Sequence, residues 1–272
     1  MNTDQLKRLA AREAVKNISS GMIVGLGTGS TVQFALEKIS SKIKNGELKN
    51  ILCIPSSVRT EVEAIKLGIP LIGFDEAIKM RKKEDVRSET KKEKPNENPN
   101  NEKSSLRFPS SVSRLPFIDI TIDGADEVDE NLNLTKGGGG ALLREKILAQ
   151  ASKRLVIIVD ESKLSKHLGA KWSVPIEVIQ FAADVEEKFL ESIGAKVVRR
   201  KNAESKDYVT DENNFILDVN FGEIKNPEEL AVLLNQRAGI VEHGLFIGMT
   251  SELICAMNDG SVNVKQSANI FK

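Results

Sequence analysis

Apolar runs of strand length, interleaved with segments of helical period, restrict this chain of 272 residues more than any other feature. The runs are 22–26, 51–54, 71–74, 118–122 and 155–159. Runs this short span a sheet, not a membrane. Their apolar character is continuous rather than alternating, so both faces of the sheet are expected to be covered. Between the runs, apolar residues recur at helical spacing. Leu6, Leu9, Ala10 and Ile18 lead to Gly21, and Val32, Leu36 and Ile39 follow the first run. A helix through Val62 and Ile65 follows the second run, and 141–151 precedes the fifth. Strands alternating with helices predict an α/β fold built on a parallel sheet.

The pattern changes after Trp172. Residues 176–179, 196–199, 215–221 and 240–247 read as strands. Asp184 and Glu187 are spaced as a capping box ahead of a stripe of Val185, Phe189 and Ile193, which Gly194 ends. Pro227 opens a further helix carrying Leu230, Leu233 and Leu234. The order β-α-β-β-α-β is the split unit of a ferredoxin-like α+β domain. The expected division is a parallel-sheet domain over 1–171, to which 247–272 returns, and a second, smaller domain over 172–246. Residues 79–114 are rich in Lys, Glu, Asn, Ser and Pro. They read as a disordered insertion, because their few apolar residues cannot offset the entropy of ordering.

Lysine plus arginine equals aspartate plus glutamate at 39 each, so no global basic field attracts nucleic acid or an anionic membrane. Neither is an expected partner. Cys53 and Cys255 have no neighbours at metal-ligand spacing and read as small buried hydrophobes in a reducing compartment. The amino-terminal residues are charged from the start and lack the apolar core of a secretory signal. A soluble cytoplasmic protein is expected. His167 and His243 carry no assignable chemistry.

Two segments do carry chemistry. Gly25-Leu-Gly-Thr-Gly-Ser-Thr31 lies between a strand and a helix. Glycines admit an anion close to the backbone. The free amides of a helix start, with the hydroxyls of Thr28, Ser30 and Thr31, supply donors. Ser30 stands where a dinucleotide fingerprint needs glycine, and no lysine completes a P-loop, so a pocket for one phosphate is the better fit. A purely structural turn is the alternative. In the second segment Asp123 and Asp126 fall at the carboxyl end of a strand, where α/β sheets bind ligands. Lys136 precedes Gly137, Gly138, Gly139 and Gly140, and a helix follows with Arg144, Glu145 and Lys146. Ala125 breaks the calcium-loop pattern, Mg²⁺ on Asp123 and Asp126 stays open, and Glu145 could be a solvated helix face. Four glycines are entropically costly, which favours a site needing close backbone approach.

The motifs Gly25-x-Gly-Thr-Gly-Ser-Thr31, Asp123-Gly-Ala-Asp-Glu127, Lys136-Gly-Gly-Gly139, Leu143-Arg-Glu-Lys146 and Val159-Asp-Glu-Ser-Lys163 together resemble the A-type ribose-5-phosphate isomerases. The resemblance spans nearly the whole chain outside 79–114. It implies a Rossmann-like isomerase domain under a ferredoxin-like lid and oligomerisation domain. It also implies a homodimer or homotetramer, no cofactor or metal, and a sugar phosphate as substrate. The implied reaction is ribose 5-phosphate to ribulose 5-phosphate in the non-oxidative pentose phosphate pathway. By position, Thr28, Gly29, Ser30 and Thr31 become the phosphate loop, and Glu145 the proton acceptor. Asp123, Gly124, Ala125, Asp126, Lys136, Gly137, Gly138 and Gly139 become substrate contacts, with Lys163 and Lys7 as further ones. Lys136 and the glycine amides would stabilise an enediolate. Asp123 would open the sugar ring and Asp126 orient hydroxyls, and Ala would serve as well as Gly140. A sugar-phosphate sensor would normally carry a DNA-reading helix-turn-helix, for which there is no room before Met22. A CoA-transferase fits the aspartate and Ser-Lys motifs poorly, and an NAD-dependent oxidoreductase fits Ser30 poorly.

Overall fold

The computed structural model describes residues 1–89 and 117–267. The first stretch holds α1 (Thr3–Ala14), β1 (Ile23–Leu26), α2 (Ser30–Lys44), β2 (Leu52–Pro55), α3 (Val58–Leu67) and α4 (Phe74–Glu89). Next come β3 (Ile120–Asp123), β4 (Glu127–Val128), β5 (Leu134–Thr135), α5 (Leu142–Gln150) and β6 (Leu155–Asp160). Then follow β7 (Val174–Val178), α6 (Ala183–Ser192), β8 (Lys196–Arg199), β9 (Phe215–Asn220), α7 (Pro227–Asn235) and β10 (Ile240–His243). The last strands are β11 (Leu245–Phe246), β12 (Glu252–Ala256) and β13 (Val262–Gln266).

The largest sheet has the order β13-β12-β6-β3-β1-β2 and is parallel except at β13. Every residue of β1, β3 and β6 is buried, as continuous apolar runs require. Helix α1 starts in a capping box between Asn2 and Gln5. Its buried face is Leu6, Ala10, Ala11 and Ala14, small enough to lie close over β6 and β12. The second sheet, β10-β7-β9-β8, is antiparallel and connected through α6 and α7 in ferredoxin-like order. A small antiparallel sheet, β11-β5-β4, joins the two units.

This topology positions the site. From β1 the chain moves outward to β2, whereas β3 lies on the other side of β1 and leads away to β6. A crevice therefore opens at the carboxyl ends of β1 and β3. Gly27 closes the loop after β1 onto β3 by donating to the Ile122 carbonyl at 2.9 Å. A Cβ at Gly27 would lie 2.1 Å from Asp123 Oδ1, so this glycine makes room for the aspartate.

Several elements differ from the sequence reading. Leu71 forms only a bridge to Cys53, and after Gly73 the chain enters α4 instead of completing a strand to Phe74. The expected disordered insertion is helical from Lys79 to Glu89, and its remainder, 90–114, lies outside the described residues. Lys, Arg and Glu are good helix formers, and Arg81 ties α4 to the Phe117 carbonyl and Asp119. Helix α6 buries Ala183, Glu186 and Leu190, while Val185 is 61% exposed. Asp184 and Glu187 do not cap it but pair with Arg199. Glu186 tolerates burial because Arg237 grips it through Nε and Nη2 at 2.9 and 3.2 Å. The expected strand 240–247 breaks at Gly244 into β10 and β11, which belong to different sheets.

Candidate active site

A pocket of about 550 Å³, mouth included, opens over the crevice. Its lining brings together Lys7, Thr28, Gly29, Ser30, Thr31, Gly124, Ala125, Asp126, Lys136, Gly137, Gly138, Gly139, Glu145 and Lys163. Asp123 alone of the expected residues lies behind the wall, 1% exposed.

At one end is the amino terminus of α2. Its cap, Gly29, has φ 119° and no side chain to occupy the first amides. Lys7, from α1, donates to Ser30 Oγ at 2.9 Å and brings a positive charge to the same place. Open amides, a hydroxyl pair and an ammonium at the start of a 15-residue helix suit a phosphate. Thr28 does not contribute a donor as expected. Its hydroxyl donates to Ser57 Oγ, which donates to Thr60 Oγ1, which donates to the Gly27 carbonyl, with contacts of 2.8, 2.9 and 2.9 Å. Its amide donates to Asp123 Oδ1 at 3.1 Å. Thr28 therefore shapes the wall and pins the loop. Ser56, Ser57 and Thr60 carried no signal in the sequence reading, and the fold gathers them around the Thr28 hydroxyl.

At the other end Lys136 lies buried between two carboxylates. Its ammonium is 3.0 Å from Asp123 Oδ2 and 3.3 Å from Glu145 Oε1, and donates to the Gly124 carbonyl at 2.7 Å. Burial alone would lower its pKa, but Asp123 and Glu145 outweigh burial and hold it above the ordinary lysine value. Burial pushes Glu145 up to about 8; Lys136 opposes the shift, and the charges of Asp123 and Asp126 add to it. Burial also raises Asp123, against Lys136 and the amides of Gly124 and Thr28. Asp123 thus has three donors on its oxygens. Glu145 Oε2 is buried and has no partner. Neither Glu145 nor Lys146 sits on a solvated helix face. Lys146 is held by Glu242 and the His243 carbonyl, each at 2.6 Å, and only Arg144 turns outward, to Asp211 and Glu212.

Asp126 Oδ2 accepts from the Gly138 amide at 2.7 Å. Among the described residues no cluster of three or more His, Cys, Asp or Glu side chains is spaced for a metal ion. The place between Asp123 and Glu145 where a cation would sit is taken by the Lys136 ammonium. The expectation that Ala would serve at Gly140 fails. Gly140 has φ +81°, and a Cβ there would lie 2.3 Å from the Tyr208 hydroxyl.

An anion-binding helix start facing a buried carboxylate and lysine, on a parallel sheet joined to a ferredoxin-like unit, is the plan of a phosphosugar isomerase. Residues 101–260 match the family described as Ribose 5-phosphate isomerase A (phosphoriboisomerase A). The ribose-5-phosphate isomerase A of Desulfatibacillum aliphaticivorans is 47% identical over 96% of this chain and 97% of its own length. A solved D-ribose-5-phosphate isomerase in complex with phospho-erythronic acid superposes with a TM-score of 0.80 at 32% identity, covering 98% of this chain and 100% of that one. Ribose 5-phosphate isomerase from Plasmodium falciparum superposes at 0.79 with 36% identity, covering 97% and 99%. The chain belongs to the ribose 5-phosphate isomerase A family.

The raised pKa of Glu145 has a consequence for stability. Its value near 8 in the fold exceeds the ordinary 4.5, so the stability it contributes is full below pH 4.5 and lost as pH rises through 8. Between pH 6 and 9 the melting temperature of the wild type should fall, and Glu145→Gln should remove a few degrees of that fall. Thermal unfolding at both pH values checks this; equal falls in the two proteins would refute it.

Proposed function

We propose that this protein interconverts ribose 5-phosphate and ribulose 5-phosphate, with Glu145 moving one proton between C2 and C1 and no metal taking part. The observation that carries this reading is the unpartnered Oε2 of Glu145, buried at a pocket that also holds Lys136 and the open start of α2. The phosphate sits on α2, Ser30, Thr31 and Lys7, and Lys163 lines the same pocket. On the open-chain aldehyde, Glu145 removes the C2 proton and the electron pair moves to O1. Lys136 and the glycine-loop amides stabilise the enediolate. A proton passes from O2 to O1, and Glu145 returns its own to C1, leaving a ketone at C2. Ring opening falls to Asp126, because it lines the pocket with Oδ2 on Gly138. Asp123 instead holds Lys136 from behind.

The same reading includes a Rossmann-like domain over 1–171 and 247–272, a ferredoxin-like lid and oligomerisation domain over 172–246, a cytoplasmic location and a place in the pentose phosphate pathway. No described helix is long and apolar enough to cross a membrane. Self-association as a homodimer or homotetramer is supported by Phe181, which is 97% exposed beside the exposed Val185.

Three outcomes are expected. Glu145→Gln loses roughly 10²- to 10⁴-fold in turnover while still binding the sugar phosphate; near-normal rates would remove Glu145 as the base. Dialysis against a chelator leaves activity intact, and dependence on added Mg²⁺ would refute the metal-free mechanism. Sedimentation at micromolar concentration gives a mass at least double the 29.9 kDa chain, and a monomer would refute self-association.

A further inference from the structure

We propose that Arg200, from the smaller unit, is a positioning residue for the isomerisation: it holds the carbonyls of Gly137 and Gly138 so that the Gly138 amide stays on Asp126 and the Gly139 amide faces the enediolate. The proposal rests on the isomerase reading above. Arg200 lies just after β8. Its Nη1 donates to the Gly137 carbonyl at 2.9 Å and to the Gly138 carbonyl at 3.2 Å. Its Nε and Nη2 grip both oxygens of Asp218 on β9, so the guanidinium is fixed in plane and direction.

The described chain has no cis peptide. In a trans peptide the carbonyl of one residue and the amide of the next point to opposite sides. Holding the carbonyls of Gly137 and Gly138 toward Arg200 therefore turns the amides of Gly138 and Gly139 the other way. The Gly138 amide reaches Asp126 Oδ2 at 2.7 Å, at the pocket. The Gly139 amide has no protein acceptor among the described residues, and Gly139 lines the pocket. Tyr208, from the same excursion between β8 and β9, places its ring 5.8 Å from the guanidinium and its hydroxyl 3.4 Å from the Gly139 carbonyl.

A run of four glycines has the widest backbone freedom a chain can have. Without an external hold, its peptides would have to be ordered during each turnover, and that entropy would enter the barrier. Among the described residues, none from β7 to β10 lines the pocket. The smaller unit thus acts on the reaction through the direction of amides it does not own.

The test compares wild type with Arg200→Ala and Arg200→Lys in isomerisation of ribose 5-phosphate. Binding of phospho-erythronic acid, whose carboxylate imitates enediolate charge, and of inorganic phosphate is measured by calorimetry. In both variants kcat should fall roughly 10- to 100-fold, with KM and phosphate affinity held within about threefold. Affinity for phospho-erythronic acid should fall in parallel with kcat. Millimolar guanidinium should restore activity to Arg200→Ala but not to Arg200→Lys, whose ammonium occupies the place without the fork. Asp218→Asn, which loosens the guanidinium without removing it, should give an intermediate kcat and an unchanged circular dichroism spectrum. Wild-type kcat in Arg200→Ala would overturn the proposal. So would a loss that guanidinium does not relieve and that leaves phospho-erythronic acid binding intact. A wild-type protein that neither isomerises ribose 5-phosphate nor binds phospho-erythronic acid would overturn the isomerase reading itself, and the role of Arg200 with it.

Discussion

The Lys136 ammonium lies 3.0 Å from one carboxylate and 3.3 Å from another, out of reach of bulk water. Removing each of three such ions from water costs on the order of several kcal/mol, and only close geometry offsets it. The surrounding fold supplies that geometry. Strand β3 ends on Asp123, Lys136 follows β5, and Glu145 stands in the first turn of α5. Two carboxylates share one cation, so the cluster holds one negative charge too many for a dry site. Burial raises Glu145 to about 8, and the charges of Asp123 and Asp126 add to that rise, which suits the base proposed above. Burial raises Asp123 as well, and the three donors on its oxygens oppose that shift.

The alternation of apolar runs and helical stripes made the parallel sheet legible, because burial on both faces leaves a continuous apolar signature. The ferredoxin-like order was legible for a similar reason. Where a residue's environment depends on a distant partner, the sequence was silent. Glu186 in the core of α6 looks misplaced until Arg237 is beside it. Buried Glu127 makes sense only with the Ser165 hydroxyl and the amides of Gly169 and Lys171 on its oxygens. The charged residues of α4 read as disorder because a solvated helix and a disordered tail use the same alphabet, and Arg81 with Asp119 tips the balance.

The candidate site was legible as a set of residues but not as a division of labour. Residue type alone could not separate Asp123, which lies behind the pocket wall, from Asp126, which lines it. Nor could it show that the Thr28 hydroxyl is committed to Ser57. Glycines looked like one device and prove to be several. Gly27 admits Asp123, Gly29 opens a helix end, and Gly140 admits Tyr208. None of these neighbours is close in sequence.

The backbone amide of Lys136 bonds to the Gly244 carbonyl, and β6 pairs with β12, so the first domain closes through contacts over a hundred residues apart or nearly so. The smaller unit lies between those partners in the chain. Its own sheet draws on strands nearer in sequence and can form from local contacts, whereas the lysine's strand partner arrives only with β11. Long-range pairing of this kind is slow and comes late. The partners of the Lys136 ammonium are near it in the chain, but its backbone amide gains the Gly244 carbonyl only after the smaller unit has been made. The backbone beneath the buried lysine is thus completed by a strand made about a hundred residues later, on the far side of the smaller unit.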